Sequence, residues 1–188
     1  NLMKKGFDVS IYTRTKSKAE GVIAAGAHWC DTIADCAAGR DVVITIVGYP
    51  KDVEEVYFSE KGILNSADKG TVLIDMTTTS PTLAKRIAEA GAQRGLRVLD
   101  APVTGGDTGA KAGTLSILVG GQRADFDTAL PIFQAMGKTI TYFGPAGCGQ
   151  HAKMANQIMI AGALSGVCEA LAYAKAEGLD RSTLVNAL

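Results

Sequence analysis

The 188-residue sequence has no excess charge: 19 lysines and arginines balance 19 aspartates and glutamates. That balance removes the electrostatic footprint of a protein that binds nucleic acid or an anionic membrane. No uninterrupted apolar run reaches the ~18 residues of a membrane span. The longest candidate, 158–167, is broken by Gly162, Ser165 and Gly166. No N-terminal stretch reads as a leader. The four cysteines, Cys30, Cys36, Cys148 and Cys168, include no CxxC pair. Neither His28 nor His151 has a partner at metal-ligand spacing, so no metal site is read. This usage points to cysteines as small core residues in a reducing cytoplasm. Low-complexity segments and solenoid-type repeats are also absent.

What is present is a chain 47% hydrophobic and 20% charged, which can bury a sizeable core. Strand and helix patterns alternate: strands at 7–12, 41–47, 71–75, 96–100, 114–119 and 138–143, with helices at 17–25, 32–38, 53–58, 81–93 and 124–136. Pro81 suits a first helical turn, with Ser80 as its cap. From 146 to about 177 only isolated glycines interrupt a long helix. Apolar strands alternating with helices predict an α/β fold with a doubly wound, mostly parallel sheet. The long helix is expected to lead into another domain. Residues 1–6 read as a helix tail stopped by Gly6, and 182–188 as the start of a further helix, so both ends are expected to belong to a longer chain.

Ligands of such sheets bind beyond the carboxyl ends of the strands. After the first strand comes Thr13-Arg14-Thr15-Lys16-Ser17-Lys18, with no acid before Glu20. It reads either as a solvated basic loop or as a site for a ribose 2′-phosphate, which an arginine accommodates. Val47-Gly48-Tyr49-Pro50 and Asp75-Met76-Thr77-Thr78-Thr79 follow the next two strands, as ligand-approaching turns or as ordinary loop chemistry. The segment from Asp100 through Thr104-Gly105-Gly106 to Gly113 is either an anion-binding concavity or a flexible Gly-rich hairpin. In the long helix, Gly149, Lys153, Asn156 and Gln157 share one face. A partly desolvated Lys153 could serve as acid or base; the plainer alternative is an exposed lysine on an amphipathic helix.

Taken together, these segments resemble the β-hydroxyacid dehydrogenases, the family of 3-hydroxyisobutyrate dehydrogenase and tartronate semialdehyde reductase. Asp100-Ala-Pro-Val-Thr-Gly-Gly resembles its substrate signature, and Gly147-Cys-Gly-Gln-His-Ala-Lys153-Met-Ala-Asn156 its catalytic helix. The resemblance covers the whole chain. It implies a Rossmann-like NAD(P)-binding domain over 1–144, and an interdomain helix over 145–188 that opens an all-helical domain. It implies hydride transfer between a nicotinamide cofactor, NADP by preference with NAD as the alternative, and a small 3-hydroxy acid or semialdehyde acid.

The implied roles are Lys153 as proton donor and acceptor with Asn156 positioning the reacting end. Thr104, Gly105 and Gly106 would hold the substrate carboxylate. Arg14, Thr15, Val47, Gly48, Tyr49 and Thr77 would line the cofactor site. A homo-oligomer built through the helical domain is implied as well. The family's first strand and Gly-rich phosphate turn have no counterpart in these residues, so this piece by itself is expected to bind the cofactor poorly. A non-catalytic NAD(P)-binding interaction module is the reading from another class.

Overall fold

The computed structural model describes residues 1–187, and Leu188 lies outside them. Two compact units emerge, Asn1–Lys153 and Met154–Leu188. The first begins with a 3-10 turn, Met3–Lys5, closed by Gly6 at φ +86°, so the expected helix tail is a single tight turn. Next come β1 (Ser10–Ile11), α1 (Glu20–Ala24), β2 (His28–Trp29) and α2 (Ile33–Ala37). They are followed by β3 (Val42–Thr45), α3 (Pro50–Phe58), α4 (Ile63–Ser66), β4 (Val72–Asp75), α5 (Pro81–Gln93) and β5 (Arg97–Asp100). The unit continues with β6 (Val103–Thr104), α6 (Gly106–Ala112), β7 (Leu115–Gly121), α7 (Arg123–Met136), β8 (Gly137–Gly144) and the first turn of α8 (Cys148–Ala176). Helix α9 (Arg181–Ala187) lies in the second unit.

Local chemistry accounts for several of these boundaries. Ser80 Oγ accepts the Leu83 N–H at 3.1 Å and Pro81 occupies the first turn of α5, as the sequence predicts. Pro50 starts α3 in the same way, three residues earlier than the expected helix. The Gly-rich segment after Asp100 is not a hairpin: Gly109 N–H donates to the Gly105 carbonyl and the short helix α6 forms.

Strands β1 and β2 form a two-stranded parallel sheet of their own. The other six strands make a second, mixed sheet in which β3–β4, β4–β5 and β7–β8 are parallel. Strands β5 and β6 both pair antiparallel with β7 in one continuous register, Leu99↔Gly121, Asp100↔Gly120, Val103↔Ile117 and Thr104↔Ser116. Pro102 interrupts that ladder because it has no N–H, yet its carbonyl still accepts from Leu118 N at 3.0 Å.

Helices cover both faces, and β4 shows why its run is continuously apolar. Val72 and Ile74 enter one cluster with Leu99, Ile117 and Phe133 of α7. Leu73, between them, enters the other with Val53, Tyr57, Leu83 and Ile87 of α3 and α5. A strand buried on both sides has no polar face to alternate.

In the second unit, α8 exposes Ile158, Met159, Leu164 and Val167. Among the described residues it is one helix long and apolar enough, by length and composition alone, to cross a membrane. An expectation built on uninterrupted apolar runs misses it, since Gly162, Ser165 and Gly166 break the run without adding charge.

Candidate active site

One row of backbone partners crosses five strands: Thr45↔Asp75, Asp75↔Asp100, Asp100↔Gly120 and Gly120↔Gly144. The last residues of β3, β4, β5 and β8 therefore stand level, and the candidate site residues follow them in sequence.

At the β3 end, a cleft of about 510 Å³ opens between the residues after β1 and those of β3. Tyr12, Thr13 and Arg14 line one side, Thr45 and Val47 the other. Arg14 Nη1 lies 3.3 Å from Asp52 Oδ1, with the arginine side chain 72% exposed and the aspartate's 9%. Asp52 Oδ2 accepts the Tyr49 N–H at 2.9 Å, and a Cβ on Gly48 would lie 3.2 Å from the same oxygen. One carboxylate thus joins Arg14 to the Val47-Gly48-Tyr49 turn. An exposed guanidinium beside a largely apolar slot suits the adenosine end of a nicotinamide dinucleotide. Thr15, by contrast, is an exposed cap of a 3-10 turn whose side chain makes no cap bond.

At the β4 end, Thr77 is buried and its hydroxyl accepts the Val47 N–H at 3.0 Å. Its own N–H donates to Asp75 Oδ1 at 3.1 Å, which also accepts from Thr45 Oγ1 at 2.9 Å. Burial pushes the Asp75 carboxyl up to about 6, against the hydrogen bonds from Thr77 and Thr45. Asp75 Oδ2 and Thr79 Oγ1 are buried without a hydrogen-bond partner.

At the β5 end, Asp100 receives the start of α8. Its Oδ1 accepts from Gly147 N at 2.8 Å and its Oδ2 from Gln150 N at 2.9 Å. Burial raises this carboxyl above its ordinary range while those N–H groups pull it down. The approach is close: a Cβ on Gly149 would lie 2.6 Å from the Asp100 carbonyl oxygen, and one on Gly120 the same distance from Asp100 Oδ1. Only glycine lets the helix start this near the sheet.

Gln150, fully buried, completes the connection. Its Oε1 accepts the Thr79 N–H at 2.9 Å, and its Nε2 donates to the Thr77 carbonyl at 2.8 Å. Lys153 follows three residues later and is 7% exposed, which sets aside the reading of an exposed surface lysine. Burial lowers its ammonium below the ordinary lysine value, the direction a proton donor and acceptor needs. Asn156 is half-buried and belongs to the second unit.

Thr104 pairs with Ser116, and Gly105 and Gly106 turn the chain into α6 at φ +127° and +61°. These three do not take part in the Thr77–Gln150–Asp100 bonds; they continue the antiparallel ladder beyond Asp100. Asp100, Gln150 and Asp52 carry no site role in the sequence reading. A Gln one turn before the lysine was the available signal for Gln150; nothing local marks Asp52 as Arg14's partner, 38 residues away.

Comparison with known proteins supplies the family. The family model of the NAD binding domain of 6-phosphogluconate dehydrogenase matches residues 1–144. The model of the NAD-binding region of NADP-dependent 3-hydroxyisobutyrate dehydrogenase matches 147–188. An uncharacterized oxidoreductase of Bacillus subtilis is 52% identical over the whole chain, which covers 65% of that protein. An NAD-dependent L-serine dehydrogenase of Pseudomonas aeruginosa is 39% identical over 98% of the chain, which covers 62% of it. The solved 3-hydroxyisobutyrate dehydrogenase of Mycobacterium tuberculosis with L-serine superposes with a TM-score of 0.90 at 32% identity, over 99% of this chain and 63% of that one. The chain thus spans somewhat less than two thirds of these relatives. Fold, site and both family matches lead to one assignment: the chain belongs to the β-hydroxyacid dehydrogenase family of NAD(P)-binding oxidoreductases.

Proposed function

We propose that the protein carrying this chain is an NADP-preferring dehydrogenase of small 3-hydroxy acids or their semialdehydes, with Lys153 as its proton-transferring group. The observation that carries the reading is the buried Lys153, one turn beyond a helix start fastened to the ends of β4 and β5. A bound nicotinamide supplies or accepts the hydride. Lys153 gives its proton to the substrate oxygen in reduction and takes it back in oxidation, a task eased by its lowered affinity for that proton. Thr104, Gly105 and Gly106 would receive the substrate carboxylate and Asn156 would orient the reacting end. Arg14 would meet a 2′-phosphate, while Val47, Gly48, Tyr49 and Thr77 would line the cofactor's path. The apolar side chains exposed on α8 support assembly into a homo-oligomer through the helical domain.

A preference for NAD is the second reading. The pairing of Arg14 with Asp52 favours it, because that carboxylate competes with a phosphate for the guanidinium.

Oxidation of NADPH and NADH over a panel of short 3-oxo acids tests both. NADPH is expected to give the higher kcat/KM, and Lys153→Ala to lose at least about a hundredfold in turnover. Turnover within a few-fold of wild type in that variant would remove Lys153 from the mechanism.

A further inference from the structure

Gln150 places a neutral amide where the core is otherwise closed. Its side chain is 0% exposed, and both ends of its carboxamide, together with its own N–H, are engaged. The partners belong to two different strand ends: Thr77 and Thr79 after β4, and Asp100 at the end of β5. Burying an amide brings little net stability even when it is fully hydrogen-bonded, whereas a methionine of similar length would fill the same space. What the amide adds is direction. Two opposed bonds, one donated and one accepted, fix how far the first turn of α8 stands from the Thr77–Thr79 loop. A one-turn helical offset then carries that placement to Lys153. The same Thr77 holds the Val47 N–H through its hydroxyl, so the connection runs on to the cleft beside Arg14.

We propose that Gln150 is a positioning residue for Lys153: its carboxamide ties the lysine's helix to the Thr77–Thr79 loop, so the loop on the cofactor side sets where the ammonium stands. This rests on the reading of Lys153 as the proton-transferring group. Gln150 touches neither substrate nor cofactor in this scheme; it acts through the helix. The consequence is a kinetic signature in which chemistry suffers and cofactor binding does not.

The test uses Gln150→Met and Gln150→Glu in the protein carrying this chain, with Lys153→Ala as control. Lysine labelled with carbon-13 at the ε position reports the titration of Lys153, and the control variant assigns its signal. In Gln150→Met that titration is expected to move up toward the ordinary lysine value. With it, kcat is expected to fall by about tenfold or more, while KM for NADPH stays within about twofold. A cooperatively folded Met variant with an unmoved titration and unchanged kcat overturns the proposal.

Should the Met variant fail to fold, Gln150→Glu decides. Its protonated carboxyl can make both bonds of the amide; ionisation keeps an acceptor for the Thr79 N–H but removes the proton donated to the Thr77 carbonyl. The kcat relative to wild type is therefore expected to stay close to one at acidic pH and to fall by about tenfold or more as the carboxyl ionises. A kcat ratio to wild type that does not change with pH overturns the proposal as firmly. If Lys153→Ala keeps its turnover, the catalytic reading fails, and the titration still reports whether Gln150 positions the ammonium.

Discussion

Arg14 Nη1 and Asp52 Oδ1 lie 3.3 Å apart, linking the loop after β1 to the first turn of α3. Because the arginine is mostly exposed, this pair adds little to stability, of the order of 0–1 kcal/mol. In the proposed function its importance is for recognition. Arg14→Ala is expected to weaken NADPH relative to NADH by about tenfold, with the denaturation midpoint unchanged. Equal effects on the two cofactors in a binding titration would show that Arg14 does not read the 2′ position.

Asp75 gives the fold a pH dependence whose sign follows from its environment. Its carboxyl is raised from 3.8 to about 6, so the folded state holds this proton more tightly than the unfolded chain. The associated stability is complete below about pH 4 and is lost as pH rises through 6, by up to roughly 3 kcal/mol. Asp75→Asn keeps an oxygen for Thr45 and Thr77 and removes the charge. Urea melts from pH 4 to 7 are expected to show a flatter profile in the variant; an unchanged slope would place the titration elsewhere.

Gly149→Ala is expected to be costly although alanine favours helices. The new methyl would meet the Asp100 carbonyl oxygen at 2.6 Å, and a backbone atom cannot swing aside. A loss of about 1–3 kcal/mol is expected from overpacking, outweighing the ~1 kcal/mol that helix propensity returns. A raised midpoint in urea would mean that the helix start has more room than the structure gives it.

Ser80→Ala removes a cap that the structure shows fully formed. The expected cost is about 1 kcal/mol in a denaturant titration, with the cleft beside Arg14 unaffected.

These examples also show where sequence was informative. Helix α5 was legible because Ser80 and Pro81 are local signals acting on their own helix. Strand β2 was not, since its two residues are defined only by distant backbone bonds, His28 N–H to Val9 and Cys30 N–H to Ile11. Helix α6 was hidden by glycines, whose weak propensity was overridden once β6 and β7 paired. In the candidate site, the resemblance singled out Lys153, whose chemistry is intrinsic. Gln150 and Asp52 stayed silent because a buried amide or carboxylate becomes significant only through partners brought in by the fold.

The Thr45–Asp75–Asp100–Gly120–Gly144 row has a consequence for how the protein matures. Its members come from five strands separated by whole helices, and each pairing waits on closure of the loop before it. Compact intermediates can therefore carry much of the helix content while the row is still open. In a refolding experiment, recovery of nucleotide binding would trail recovery of far-ultraviolet ellipticity, and any lesion that delays the last pairing, β7 with β8, would delay competence without delaying collapse.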